Sequence, residues 1–304
     1  MATFWNWWQH LPATMDPVLF QVGGFKVQYY GLMYIVAFGL TYGLVIWRVR
    51  REPRFDFGAP QIQDSLTALI LGVIVGGRLG YVLFYNFSYY LANPLEIFLP
   101  FRFEDGLTFT GISGMSFHGG LIGVVAAAGW YCRRARVDFR DLADLYVPAV
   151  PLGYTFGRIG NFINGELFGR PTTVPWGMVF PQAPDTLLRH PSQLYEAFFE
   201  GILLFAVLWF LRRRVALRGG MLPLYLLGYG GVRFLLEFFR QPDAHLGTVW
   251  LGFSMGQVLC LAMMLAGLAL WVFLRRLSPT AERPAAPRPA RPCRKGDRPG
   301  MNRS

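Results

Sequence analysis

Long apolar runs alternate with tight bursts of arginine along most of this chain, and that alternation restricts the possible fold more than any other feature. Four basic residues fall in Arg48 to Arg54, four in Arg133 to Arg140, four in Arg212 to Arg218 and nine from Arg275 onward, leaving eight of the 29 Lys and Arg residues elsewhere. The runs between the bursts have the roughly 20 residues an α-helix needs to cross the hydrocarbon core. Seven candidate spans result, at 27–47, 62–84, 115–132, 142–158, 193–211, 221–240 and 251–274. Only 15% of the 304 residues are charged, against about 25% in a soluble domain. A formal charge of +11 could suggest nucleic acid. The grouping of the basic residues argues instead for topology, because short loops rich in Lys and Arg stay cytoplasmic. The expected class is an all-α polytopic membrane protein of about seven transmembrane helices, N-terminus outside and C-terminus cytoplasmic, with no nucleic-acid partner.

Residues 1–278 read as the membrane domain. Its two longer outer connections, 85–114 and 159–192, contain Pro, Gly and aromatic residues and are expected to form a small periplasmic cap. Trp5, Trp7 and Trp8 suit an outer interface, and no positive charge precedes Lys26, so the pattern is not that of a cleavable signal peptide. The fourth candidate span is the weakest. It opens with Asp141 and Asp144 and carries Pro148 and Pro151, which a span tolerates only if neighbours satisfy the freed carbonyls. Residues 279–304, rich in Pro, Arg and Ala, read as a disordered basic cytoplasmic tail. Cys132, Cys260 and Cys293 have neither paired nor metal-type spacing, and the four histidines form no ligand cluster, so neither a disulfide nor a metal site is expected.

A charged side chain at mid-membrane costs roughly 2.5 to 3.5 kcal/mol on insertion scales, so retained charges need partners or a use. Tyr29, Tyr30 and Tyr34 occupy the outward half of the first span and Arg78 that of the second. His118 begins the third, Arg158 and Asn161 end the fourth, and His190, Gln193 and Glu196 lead into the fifth. The sixth carries Tyr229, Arg233, Glu237 and Arg240 as it rises outward. These residues converge on one level, which predicts a polar chamber opening to the outer leaflet. Tyr229, Arg233 and Glu237 are spaced by four and share a helical stripe. The stripe reads either as an ion pair that lets the helix insert or as a phosphate site, since Arg grips phosphate through two parallel hydrogen bonds. The Gly157 to Glu166 stretch reads equally as a helix cap with turns or as an anion site built on Arg158, Asn161 and Asn164. His118 is either a packing residue or, with an ordinary pKa of roughly 6.5, a proton acceptor. His190 before Pro191 fits a structural turn.

Six ordered blocks then resemble prolipoprotein diacylglyceryl transferases: Tyr30-Gly31-Leu32-Met33-Tyr34, Gly77-Arg78-Leu79-Gly80-Tyr81, His118-Gly119-Gly120-Leu121, the Gly157 to Gly169 stretch, His190-Pro191-Ser192-Gln193-Leu194-Tyr195-Glu196, and Tyr229-Gly230-Gly231-Val232-Arg233 through Glu237 to Asp243. The resemblance implies a bacterial inner-membrane enzyme, active toward the periplasm. It would move the diacylglyceryl group of phosphatidylglycerol onto the lipobox cysteine of a prolipoprotein signal peptide. It further implies that Arg158 and Arg233 bind the phosphate, that Asn161, Glu166, Tyr30, Tyr229 and Glu237 orient the headgroup or the arginines, and that His118 is either the base or a wall of the pocket. No cofactor is implied, since the lipid carries its own leaving group. Two rival readings are an intramembrane serine protease, using Ser113 beside His118, and an anion or lipid transporter. The absence of internal repeats and the one-sided polar residues weigh against the transporter.

Overall fold

The computed structural model describes residues 2–23, 25–99, 101–102, 108–109, 114–241, 248–250 and 252–277. Ser113, Asp243, Cys293 and the basic tail lie outside the described residues. The chain is mostly helical. A short helix α1 (Ala2–His10) and a hairpin of β1 (Val18–Val22) and β2 (Phe25–Gln28) precede α2 (Tyr29–Arg51) and α3 (Ala59–Tyr85). After α4 (Phe87–Ala92) and the two-residue strands β3 (Phe101–Arg102) and β4 (Thr108–Phe109) come α5 (Phe117–Ala135), α6 (Phe139–Tyr146) and α7 (Val150–Ile163). A continuous helix follows, made of α8 (Ser192–Glu196), a π turn (Ala197–Leu203) and α9 (Leu204–Leu211). The described chain ends with α10 (Met221–Leu236), strands β5 (Thr248–Trp250) and β6 (Phe253–Ser254), and α11 (Met255–Leu277).

Each of the seven apolar segments contains a helix, but among the described residues only four helices are long and apolar enough to cross a membrane: Tyr29–Arg51, Ala59–Tyr85, Ser192–Leu211 and Met255–Leu277. The other three depart for separate reasons. α5 is diluted by Gly119, Gly120, Gly123 and Gly129 and ends in Arg133 and Arg134. α10 has 16 residues, about 24 Å at 1.5 Å per residue, short of a core about 30 Å thick. The fourth segment is broken, because a 3-10 turn at Val147–Ala149 separates α6 from α7 where the prolines fall.

That break has its compensation in Arg48. Pro148 has no N–H to give the Asp144 carbonyl. Instead, Arg48 Nη1 donates to the carbonyls of Asp144 and Leu145, both at 2.6 Å, while its Nε and Nη2 reach Glu52 at 3.0 and 2.9 Å. Arg212 Nε joins the same carboxylate at 3.0 Å. Burial works to raise the pKa of Glu52, and the hydrogen bonds from Arg48 and Arg212 outweigh it, holding this carboxylate below its usual range. One buried group thus ties α2 to the α6–α7 break and to the end of α9.

Lipid tails are as apolar as the side chains they would replace, so helices in a bilayer gain from close contact rather than from leaving water. α3 and α5 obtain that contact through glycine. A Cβ on Gly80 would stand 2.6 Å from the Gly119 Cα, and one on Gly123 would fall on the Gly72 carbonyl oxygen. A second cluster forms at the far end of α7, where Phe162, Met178 and Phe180 pack with Trp8, Leu11 and Met15. Trp8 Nε1 donates to the Trp176 carbonyl at 3.0 Å and Gln9 Nε2 to that of Pro175 at 3.1 Å, fastening α1 to the 164–191 segment.

Candidate active site

α7 presents Tyr154, Arg158 and Asn161 at steps of four and three residues, hence on one stripe. Thr155, on the neighbouring face, donates to the Ala197 carbonyl at 3.3 Å, and Gly201 sits so close to Thr155 that a Cβ would collide with the Thr155 hydroxyl. This contact seats the π turn against α7. It brings Glu196 and Glu200 under the Arg158 side chain, while α10 supplies Tyr229 and Arg233 from the other side.

The polar groups form one connected network. Arg158 Nε lies 2.6 Å from the Tyr154 hydroxyl and 2.8 Å from Glu196 Oε2. The other oxygen of Glu196 accepts from Arg233 Nη1 at 2.9 Å, so a single carboxylate spans both guanidiniums. Arg233 Nη2 donates to Glu237 Oε2 at 2.9 Å, and Glu237 Oε1 accepts from the Ser254 hydroxyl at 3.2 Å. Tyr154 donates to Glu200 Oε2 at 2.5 Å, and its ring stands edge-on to that of Tyr229. On the remaining side of Arg158, Nη1 reaches Asn161 Oδ1 at 3.4 Å. Asn161 and Asn164 then donate to Glu166 Oε1 at 2.8 and 3.3 Å. The network is largely withdrawn from the surface, with Glu196 1% and Glu200 0% exposed.

A family model for prolipoprotein diacylglyceryl transferase matches residues 17–273. A phosphatidylglycerol–prolipoprotein diacylglyceryl transferase of Chlorobaculum tepidum is 52% identical over 283 residues, covering 93% of this chain and 98% of the relative. Proteins of the same name from Coxiella burnetii and Paracidovorax citrulli are 51% and 47% identical, covering 84% and 86% of this chain and 95% and 96% of their own. The chain belongs to the prolipoprotein diacylglyceryl transferase family.

In this family member the residues expected from sequence divide into two places. Arg158, Asn161, Glu166, Tyr229, Arg233 and Glu237 lie in or against the network. Tyr30 approaches it from α2, where its ring covers Gly160 so closely that a Cβ there would stand 2.9 Å from Cδ2, and its hydroxyl is 3.1 Å from that of Tyr34. His118 stands apart, in the first turn of α5, lining a cleft of about 200 Å³ with Phe84, Tyr85 and Ser116. Arg78, expected to join the chamber, donates to the carbonyls of Ile97 at 2.7 Å and Glu96 at 2.6 Å and lies over the Tyr90 ring. These bonds tie α3 to the segment after α4. His190 holds a turn, with Nδ1 3.2 Å from the Tyr195 hydroxyl.

Three network residues escape the sequence argument. Glu200 had a signal, since it is a carboxylate inside the apolar run Ala197 to Leu211 and four residues beyond Glu196. Tyr154, one helical turn before Arg158, had a weaker one. Ser254 had none, because only the tertiary packing of α11 on α10 brings it to Glu237.

Proposed function

We propose that this chain transfers the diacylglyceryl group of phosphatidylglycerol to the lipobox cysteine thiol of prolipoproteins, forming a thioether and releasing glycerol phosphate. Its membership of the transferase family and the activity for which its relatives are named support the reaction class. The observation that carries the site assignment is the Glu196 carboxylate held by Arg158 and Arg233 at 2.8 and 2.9 Å. Two guanidiniums spaced to share one carboxylate are also spaced to share the two non-bridging oxygens of a phosphodiester.

In the transfer, the cysteine sulfur forms a bond to the glyceryl carbon. The bond from that carbon to the phosphate oxygen breaks, and its electron pair leaves with the phosphate. Arg158 and Arg233 neutralise the charge that grows on the departing oxygen. Glu196, Tyr154 and Glu237 hold the guanidiniums in place, while Asn161 and Glu166 extend the polar lining toward the headgroup glycerol. A free thiol has a pKa of roughly 8.5, so attack benefits from removal of its proton. His118 takes that proton in this reading, and the Phe84, Tyr85 and Ser116 cleft receives the cysteine side. The same reading gives seven membrane-crossing helices in a bacterial inner membrane, the arginine bursts facing the cytoplasm. The α1 and 164–191 cluster then forms the outer cap over the site.

The test is to incubate purified protein with labelled phosphatidylglycerol and a lipobox peptide and to look for the diacylglyceryl thioether and free glycerol phosphate. Absence of both products overturns the proposal. Arg158→Ala and Arg233→Ala should each lower turnover about 10² to 10³-fold, the loss typical of a missing transition-state donor. Full activity in both would remove the phosphate assignment. His118→Gln should slow transfer, and the deficit should shrink as pH rises through the ordinary thiol pKa of roughly 8.5, where the thiolate forms without a base.

A further inference from the structure

The Arg158 and Arg233 guanidiniums share their buried space with three carboxyl groups, those of Glu196, Glu200 and Glu237. On the reading above, which this inference rests on, the same arginines also receive an anionic headgroup. With all three carboxyls ionised the site would carry an excess of negative charge before any phosphate arrived, and burial makes an uncompensated carboxylate costly. One carboxyl therefore has to hold a proton.

The geometry separates the three. Glu196 has one oxygen on each arginine. Glu237 accepts from Arg233 and Ser254 and faces the first turn of α11, where a Cβ on Gly256 would lie 2.6 Å from its Oε1. A helix N-terminus favours an anion there. Glu200 is held more loosely by the arginines. Its Oε1 is 3.6 Å from Arg233 Nη1, against 2.8 Å between Glu196 Oε2 and Arg158 Nε, although neither of these two oxygens takes a hydrogen bond among the described residues, and its Oε2 meets the Tyr154 hydroxyl at 2.5 Å. The other ionisable groups facing it are Tyr154 and Arg158 from α7, Glu196 from its own helix, Tyr225, Tyr229 and Arg233 from α10, and Cys260 from α11. Only the two arginines among them are positive, and both are engaged by Glu196. Glu200 also lies in the π turn, an irregularity that recurs at functional sites.

We propose that Glu200 is a positioning residue that works as the neutral acid, carrying its proton on Oε1 while Oε2 accepts from the Tyr154 hydroxyl. The pair then fixes Arg158 through its Nε without drawing on its charge. The two guanidiniums, balanced by Glu196 and Glu237, stay able to take up an anionic headgroup by exchange with a carboxylate.

The experiment compares wild-type protein with Glu200→Gln and Glu200→Ala in lipid nanodiscs. Glutamine mimics the neutral acid, so Glu200→Gln should keep transfer near the wild-type rate across pH 6 to 9, whereas Glu200→Ala should lower kcat about tenfold by leaving Tyr154 and Arg158 unsupported. Infrared difference spectra should show the carbonyl stretch of an un-ionised carboxylic acid in wild-type protein and its loss in Glu200→Gln, a readout independent of turnover and of the alanine variant's folding. Absence of that band, equal impairment of the glutamine and alanine variants, or full activity of the alanine variant each overturns the proposal. Fully active Arg158→Ala and Arg233→Ala proteins with the band still present would instead sink the phosphate reading alone.

Discussion

Glu196 sets the separation of the two arginines, so its removal tests the site from within. Breaking a buried ion pair from one side costs about 3–5 kcal/mol in reference systems. Glu200 and Glu237 still lie beside Arg233 in Glu196→Ala, which puts the expected destabilisation at the lower end, about 3 kcal/mol. Turnover should fall about 10²-fold, because guanidiniums that no longer share an anion are not aligned for a phosphate. Thermal melting and transfer assays on the same preparation check both, and unchanged turnover would mean that Tyr154 and Glu237 suffice for alignment. His190 gives a separate pH signature. Burial holds its pKa below the ordinary 6.5, so the unfolded chain takes up a proton before the folded one does. Stability from this group is complete above about 6.5 and is lost as pH falls through its folded value. The melting temperature should drop between pH 7.5 and 5.5, and His190→Asn should flatten that slope. At this scale the sequence exposed the residues that are expensive in a membrane, which is why Arg158, Arg233, Glu237 and His118 were visible. It could not expose how they are shared. The bridge through Glu196 and the Tyr154–Glu200 contact exist only once a π turn is pressed onto α7.

Helix placement was legible because hydropathy and basic bursts are local properties, and each of the seven apolar segments contains a helix. Local pattern could not say how the helices hold one another. Gly72, Gly76 and Gly80 of α3 meet Gly119 and Gly123 of α5 face to face, a contact that no local pattern announces. Replacing Gly123 with Leu should drive α3 and α5 apart, move the Ser116 N-cap and the His118 cleft with them, and reduce transfer while the Arg158–Arg233 network on α7 and α10 stays intact. Anion binding measured with glycerol phosphate should therefore survive in Gly123→Leu better than turnover does, and parallel loss of both would show that the two regions are one unit. The paired prolines illustrate the same limit. Sequence demanded a partner for the freed carbonyls but could not name Arg48, 96 residues from Asp144. Arg48→Met leaves those carbonyls unpaired and Glu52 short of a partner, a change expected to cost about 3–5 kcal/mol, read as a fall in melting temperature.

Across the whole molecule the two ends differ in chemistry. One carries the Glu52 cluster, the Asp138–Arg140–Asp141–Arg218 ion pairs and, among the described residues, the arginines of the basic bursts. The other carries α1, the 164–191 segment and the Glu166 side of the network. Asp138 is held down to about 2, first by its hydrogen bonds from Arg140 and with help from Arg218, so these loops keep their ion pairs throughout the neutral range. In the proposed reading the positive-inside bias turns that end to the cytoplasm and opens the Arg158–Arg233 network toward the outer leaflet. Cysteine labelling reads this directly, because Cys132 and Cys260 are buried and only Cys293 needs replacing. In a Cys293→Ser background, Leu187→Cys places a thiol on an exposed position of the 164–191 segment and Ala216→Cys places one on the exposed loop after α9. A membrane-impermeant maleimide added to intact cells should label the first, and the second only after permeabilisation. The opposite pattern would set the network against the cytoplasmic leaflet, where a translocated cysteine could not reach it, and would overturn the sidedness on which the proposed reaction depends.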